Sequence, residues 1–199
     1  PYPLALATLA RLEATLGPEA VAALRHEFTF WARPSQQLPD PAHRWGTCLI
    51  TGEYGSGKTW MAVQLFVREI LAGRSLLPRI ICATSQAIGG TIVNGPSGIK
   101  KWLPPWVPCE WLASANNGRG ELTINGVRVA CLSADAPGQA IGEGSDLDLR
   151  DDVAKWAITS GAAGAQEAWA AASKSCREGE GRAIVPTTPD GVEFIRALV

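Results

Sequence analysis

Short apolar runs alternate with segments of helical period along most of this 199-residue chain. That alternation predicts an α/β fold, a mostly parallel central sheet flanked by helices. Two local signals sharpen the prediction. Gly52-Glu53-Tyr54-Gly55-Ser56-Gly57-Lys58-Thr59 reads G-x-x-x-x-G-K-T, the phosphate-binding loop of P-loop NTPases. It lies between the apolar run Thr47-Cys48-Leu49-Ile50, read as a buried strand, and residues 60–71, read as a helix. Asn125-Gly126, between residues 121–124 and 127–132, marks a β-hairpin added to the sheet.

Geometry explains what the glycine loop can do. Its glycines let the backbone curl until consecutive N–H groups face inward, and the following helix adds its partial positive charge. Lys58 is placed to reach the β- and γ-phosphates of a nucleotide, and the Thr59 hydroxyl to ligate Mg²⁺. The expected nucleotide-binding set is therefore Gly52, Glu53, Tyr54, Gly55, Ser56, Gly57, Lys58 and Thr59, with Lys58 also catalytic and Thr59 also a metal ligand.

Composition bounds the rest. A chain of 21.1 kDa suits one domain, and 46% hydrophobic content supports a sizeable core. Net charge is -1 and the pI is about 6.2, so no global basic field exists, and any nucleic-acid contact needs a local patch or a ring of copies. Five cysteines, an odd count without a C-x-x-C pair, read as small buried hydrophobes in a reducing compartment. No apolar run is long enough to span a membrane. The N-terminus lacks the basic start of a signal peptide. A start at Pro1 without methionine is what a fragment of a larger protein would show.

In chain order, Pro3–Leu16 is Ala/Leu-rich with Arg11 and Glu13 on a polar face, a helix that Gly17-Pro18 breaks. Residues 18–31 read as a second helix with proline at its start. A proline-punctuated loop, 33–41, leads to the P-loop strand. Gly73 reads as the cap of the P-loop helix. Residues 79–84 read as a buried strand, and Ser85 as the cap of a short helix through Val93. Trp102, Trp106 and Trp111 lie among prolines in 100–111. A basic-aromatic stretch of this kind can bind single strands, but tryptophans anchoring an irregular crossover on the core is the favoured reading. Residues 146–152 alternate polar and apolar and end in paired acids. Residues 164–177 read as a helix with Trp169 on its apolar side. Residues 183–188 read as a last strand, and Asp190 as the cap of a closing helix to Leu198. No internal repeat or low-complexity tract occurs.

In open parallel sheets the ligand sits at the carboxyl ends of the strands. That places the P-loop, Thr84, Asp151-Asp152 and Thr187-Thr188 along one edge. Triphosphate hydrolysis needs a carboxylate in the metal shell and a group that orients or deprotonates water. Asp151 and Asp152 are the candidates, as Walker B aspartate and catalytic acid. The alternative is a solvated helix cap, because the usual four-residue apolar lead is reduced to Leu147 and Leu149.

Trp31-Ala32-Arg33-Pro34-Ser35-Gln36, the stretch 45–59, Asp151-Asp152-Val153-Ala154-Lys155-Trp156, Trp169 and Pro186-Thr187-Thr188-Pro189 together resemble the ATPase domain of the large terminase subunit of tailed bacteriophages. That family typically reads A-R-P-x-Q, an apolar strand, G-G-R-G-x-G-K-T, a D-E-x-x-x-W block and T-T-T-P in this order. The likeness covers nearly the whole chain. It implies an ASCE/RecA-like P-loop NTPase: N-terminal helices and an adenine-side loop over residues 1–44, and the P-loop core over 45–199. It also implies ATP and Mg²⁺ as cofactors, and hydrolysis that drives double-stranded DNA into a procapsid. The implied partners are the portal protein, the small terminase subunit and further copies in a pentameric ring, with the isolated chain a monomer. The implied location is the cytoplasm of an infected bacterial host. Gln36, with Gln37 as fallback, would recognise adenine. Asp151 would complete the Mg²⁺ shell, and Asp152 stands where the family has its catalytic glutamate. Thr187 and Thr188 match the motif that senses the γ-phosphate. The family's nuclease domain is expected to be absent from a chain that ends at Val199.

The sequence departs from that pattern in three places. Tyr54 stands where the family usually has a P-loop arginine. Gln139-Ala140-Ile141-Gly142 replaces an L-R-G stretch. Asp152 is one methylene shorter than glutamate, roughly 1.5 Å of lost reach. A finger arginine from a neighbouring copy could supply the missing charge, and Arg119, Arg128 and Arg150 are candidates. The isolated chain is expected to hydrolyse ATP slowly. Two other readings stay open: another P-loop ATPase acting on nucleic acid, such as a helicase or repair enzyme, and a degenerate module that holds nucleotide to set an assembly interface.

Overall fold

The computed structural model describes residues 3–24, 26–40, 43–112, 120–139 and 144–189. The expected closing helix after Asp190, Arg119 and the Ala140-Ile141-Gly142 departure lie outside the described residues.

Three helices come first: α1 (Pro3–Leu16), α2 (Pro18–Leu24) and α3 (Phe28–Trp31). The single helix expected over 18–31 is thus two. The Nε1 of Trp31 donates to the Leu24 carbonyl across the break at 3.0 Å, and Glu27 caps α3 by accepting from the Thr29 N–H. The P-loop strand β1 (Thr47–Thr51) leads through the glycine loop into α4 (Lys58–Leu71). Gly73, just past the α4 C-cap Ala72, takes φ 68°, the left-handed stop that favours glycine. Next comes β2 (Pro78–Cys82), then α5 (Ser85–Ala87), capped by the Thr84 hydroxyl rather than by Ser85, and a π-helical turn over Ile88–Val93. The crossover holds α6 (Ile99–Trp102) and a strand absent from the sequence reading, β3 (Cys109–Leu112). The hairpin pairs β4 (Glu121–Ile124) with β5 (Val127–Ser133). Last are β6 (Leu147–Arg150), α7 (Val153–Ser175) and β7 (Arg182–Thr187). Helix α7 starts eleven residues before the expected Gly164 and breaks at Gly161, where φ is 73° and ψ 167°.

All strands join one seven-stranded sheet in the order β1-β7-β6-β2-β5-β4-β3. The first five are parallel and the last two antiparallel. The P-loop strand takes one edge of this sheet and is only half buried, with Ile50 alone fully enclosed, which corrects the buried-strand expectation. The interposed β7 separates β1 from β6, so its carboxyl end lies between the glycine loop and the paired acids.

Alternation sorts the core into two layers, because successive strand side chains point to opposite faces. Ile80, Cys131, Leu149 and Ile184 face α4, which buries Met61, Ala62, Val63, Leu65, Phe66, Val67 and Ile70. Ile81, Leu132, Ala183 and Val185 face α7, whose Ala165, Ala168, Ala171 and Ala172 allow close approach. The thin apolar lead of β6 now has an explanation. Leu147 and Leu149 serve the α4 layer, while Asp148 and Arg150 carry an ionic network buried under α7. The Asp148 carboxylate accepts from Arg79 at 2.9 and 2.8 Å, from Arg150 at 3.0 and 2.9 Å, and from the Ser145 hydroxyl at 2.7 Å. Arg79 also donates to Ser175 Oγ and the Ala172 carbonyl, and Arg150 donates to Ser173 Oγ and stacks on Trp169 at 4.4 Å. Arg150 is therefore not available as a finger arginine.

A second clamp holds the same end of the sheet on its opposite face, under α4. Buried Glu69 binds Arg74 at 2.9 Å and Arg182 at 2.6 Å, tying α4 to the start of β7. Burial alone would raise its pKa, but the Arg74 and Arg182 hydrogen bonds outweigh it and hold the carboxyl down at about 2.

The tryptophans of the crossover divide. Trp102 packs on Trp60 at 5.4 Å and bonds the Pro96 carbonyl, and Trp111 packs on the core, whereas Trp106 is exposed. The five cysteines are free, two of them buried. No helix among the described residues is long and apolar enough to cross a membrane.

Candidate nucleotide site

The glycine loop has the shape its chemistry requires. Gly55 and Gly57 take φ 75° and 87°, and Gly57 is the N-cap of α4. The N–H of Met61 is the first to bond back into the helix, on the Gly57 carbonyl, so the N–H groups of Lys58, Thr59 and Trp60 are left to the loop mouth. A Cβ on Gly52 would meet Ser56 Oγ at 2.8 Å, and one on Gly57 would meet Gln36 Nε2 at 2.7 Å. Lys58 Nζ is held at the mouth by the loop's own carbonyls, Gly52 O at 2.7 Å and Glu53 O at 2.8 Å. The exposed ring of Tyr54 lies 5.7 Å from that ammonium.

The paired acids sit on the same edge. Thr59 Oγ1 approaches Asp151 Oδ1 at 3.5 Å across 92 positions of sequence. The backbone fixes both acids: Asp151 N–H donates to the Ile81 carbonyl at 2.9 Å and Asp152 N–H to the Pro186 carbonyl at 2.8 Å, while Trp156 Nε1 donates to the Asp151 carbonyl at 3.0 Å. Asp151 is buried, and Asp152 is nearly so. Burial first, then the neighbouring Asp152 charge, pushes the Asp151 carboxyl up to about 7. A divalent cation bound there would compete with a proton for that carboxylate. In a chain that holds Mg²⁺ here, the affinity for the cation is expected to fall as pH drops below about 7 and to level off above it. Without metal the sign reverses for stability. The raised pKa contributes stability fully present below about pH 4 and lost as pH climbs through about 7. Thermal midpoints across that range, with and without Mg²⁺ and nucleotide, check both slopes.

Thr187 and Thr188 differ in use. Thr187 Oγ1 accepts the Ala154 N–H at 3.3 Å, capping the first turn of α7 from β7. Thr188 Oγ1 is buried without a partner, as are Ser56 Oγ and Asp152 Oδ1. Buried polar groups are nearly always paired, so three orphans around one loop mark a place where a polar ligand belongs. A phosphate chain with Mg²⁺ fits them. Thr59 and Asp151 would hold the metal together with phosphate oxygens, since no cluster of three or more His, Cys, Asp or Glu among the described residues could hold one alone. Bound there, Mg²⁺ would neutralise phosphate charge.

Gln36 is buried against the loop, and Gln37 is exposed. The Gln36 amide oxygen accepts from the Arg33 N–H at 3.1 Å and Nε at 3.3 Å, and its amide nitrogen donates to the Ser56 carbonyl at 3.2 Å. The Arg33 guanidinium donates to that same carbonyl. Arg33 and Gln36 also form one end of a groove of about 960 Å³ between α3, the 33–40 loop, α4 and α6, which Gly52–Thr59 does not line. Arg128 lies at the amino end of β5, away from this edge, paired with Glu121 at 3.1 Å.

The sequence assigns no individual role to Arg33 or Lys155, and it offers Arg150 as a finger arginine rather than as part of an Arg79–Asp148–Arg150 network. The signal for the network was legible. Charges at 79, 148 and 150 interrupt strands that are otherwise apolar, and such charges are buried only in mutual company.

No family model and no curated protein matches the chain. Among solved structures, the Thermus phage P74-26 large terminase ATPase domain superposes with a TM-score of 0.58 at 18% identity, over 87% of this chain and 73% of that one. An arginine-to-alanine mutant of the same domain gives 0.47 at 18% identity. The chain has the fold of a phage large terminase ATPase domain.

Proposed function

We propose that this chain is the ATP-binding and hydrolysing motor domain of a viral DNA-packaging terminase. The observation that carries the reading is the meeting of Thr59 with Asp151 at 3.5 Å, beside the orphaned oxygens of Ser56, Asp152 and Thr188. In this reading the inward N–H groups of the loop and Lys58 bind the β- and γ-phosphates of ATP. Thr59 and Asp151 hold the metal. Asp152 takes the proton of the attacking water, and Thr188 contacts the terminal phosphate. Thr187 connects that contact to the acids through α7. Gln36 reads adenine at the end of its loop while its amide nitrogen stays on the P-loop. Coupling to double-stranded DNA, to a portal and procapsid, to a small subunit and to a pentameric ring completes the proposal, with the likeness of fold as its support.

The site half of the proposal is tested by Asp152→Asn. Phosphate release should fall at least about 10²-fold while ATP affinity stays within a few-fold. Turnover absent from both chains points instead to a module that holds nucleotide without cleaving it, and turnover unchanged in Asp152→Asn removes Asp152 from the catalytic role. The motor half is tested by stimulation. Turnover should rise with an empty procapsid carrying its portal, and a rise with free single-stranded DNA alone favours a helicase or repair enzyme.

A further inference from the structure

The acid proposed to activate water is held in an unusual way. Apart from the hairpin residue Asn125, Asp152 is the one non-glycine among the described residues with positive φ, at 45°. Such a backbone is strained for a residue with a Cβ and clusters where geometry serves function. The residue is also the N-cap of α7, where an aspartate ordinarily accepts an N–H from the first turn. Asp152 makes no such bond. Its Oδ2 is instead held by Lys155 Nζ at 2.8 Å, and its Oδ1 is buried with no partner. The Lys155 ammonium also interacts electrostatically with Asp151 and Tyr54, so it faces the site as well as solvent. An ordinary helix-surface pair at this spacing leaves both carboxylate oxygens hydrated and contributes little. Here one oxygen is clamped and the other is left without a partner.

We infer that Lys155 is a positioning residue for Asp152: it fixes the rotation of the carboxylate so that Oδ1 alone is presented to the water that attacks the terminal phosphate. The inference rests on the hydrolytic reading above. A carboxylate bond turns readily about χ2, and a reacting group displaced by about 1 Å can lose 10²-fold in rate. Among the described residues, Lys155 makes no hydrogen bond or ion pair to the phosphate-binding backbone or to Thr59 and Asp151, and its charge acts on Asp151 only at longer range, so the larger part of its effect belongs in the chemical step.

The experiment compares the full chain with Lys155→Ala and Lys155→Arg in ATP turnover, in calorimetric affinity for ATP with Mg²⁺, and in crystal structures of the nucleotide-free proteins. In Lys155→Ala, kcat should fall about 10- to 100-fold with KM and ATP affinity within about threefold. Lys155→Arg should restore most of the rate. The crystal structures should show Asp152 in one carboxylate orientation in the parent chain and in more than one in Lys155→Ala. A single unchanged orientation in Lys155→Ala overturns the inference, whatever the activity. So does a kcat within twofold of the parent, or a loss confined to KM, which would make Lys155 a phosphate ligand. A parent chain that binds ATP and never cleaves it defeats the hydrolytic reading, and the crystallographic arm still decides the clamp.

Discussion

Lys58→Ala is expected to lower kcat/KM for ATP by at least about 10³-fold, the lower end of what a single cation can contribute to phosphoryl transfer. The ammonium is already at the loop mouth, bonded to the Gly52 and Glu53 carbonyls at 2.7 and 2.8 Å. Those bonds aim it without tying it down. A phosphate oxygen carries full charge and a carbonyl does not, and charge-assisted hydrogen bonds are roughly twice as strong as neutral ones. Exchange of carbonyl for phosphate is therefore favourable and needs little rearrangement. Tyr54 offers no charge beside it, and Arg33 is bonded to the Ser56 carbonyl. Lys58 thus carries an unusually large share of the positive charge the loop can offer. Its removal leaves two partly solvated carbonyls, so the fold should change by less than about 1 kcal/mol. Lys58→Arg should rescue poorly, because a planar fork does not fit a cradle shaped for a compact ammonium. Calorimetry and phosphate release measure both effects. An ATP affinity within a few-fold of the parent would show that the loop is not the phosphate site.

How far the sequence discloses this site depends on the range of the forces involved. The glycine loop was legible because its demands are local: the glycines that let the backbone curl and the lysine and threonine that serve the phosphates all fall within eight adjacent positions. The hairpin was legible for the same reason at Asn125-Gly126. The order of strands was not, since nothing in the local pattern states that β7 inserts between β1 and β6. That insertion decides which hydroxyl faces the loop. Thr187 and Thr188 are equivalent as letters, yet strand alternation gives Thr187 to the cap of α7 and leaves Thr188 unpartnered. Strand β3 escaped notice because its pattern is broken by prolines upstream and its pairing with β4 is non-local. The early start of α7 was not legible because two glycines, Gly161 and Gly164, fall inside it and weaken the helical pattern before them. One of them does break the helix, but the first turns still form, with Trp156 buried and bonded to Asp151. Arg150 illustrates the converse error. As a letter near the acids it could be a finger, and only burial beside Asp148 removes that option.

Asp148→Ala is expected to destabilise the domain by about 3–5 kcal/mol, since removing one member of a buried ionic group strands the others. Here two guanidinium groups would be left, Arg79 and Arg150, both essentially excluded from solvent. Against a typical total of about 5–15 kcal/mol that loss should leave much of the chain unfolded at working temperature. The network sits where it matters for the site. Asp148 and Arg150 belong to the strand that ends in Asp151, and Arg79 and Ser175 anchor that strand to β2 and α7. The companion experiment replaces all three charges, Arg79→Met with Asp148→Leu and Arg150→Met. Buried ion groups replaced whole by apolar side chains of similar volume are often neutral or more stable, so this triple variant should be more stable than Asp148→Ala alone. Denaturant midpoints at constant slope decide the comparison. A triple variant no more stable than the single one would mean that the layer under α7 depends on the hydrogen bonds to Ser173, Ser175 and Ala172 rather than on charge compensation. In the expected case turnover of the triple variant becomes the informative quantity. A refolded chain that binds ATP and cleaves it slowly would place the network's role in holding Asp151 opposite Thr59, because apolar packing restores the strand without dictating its register against α7.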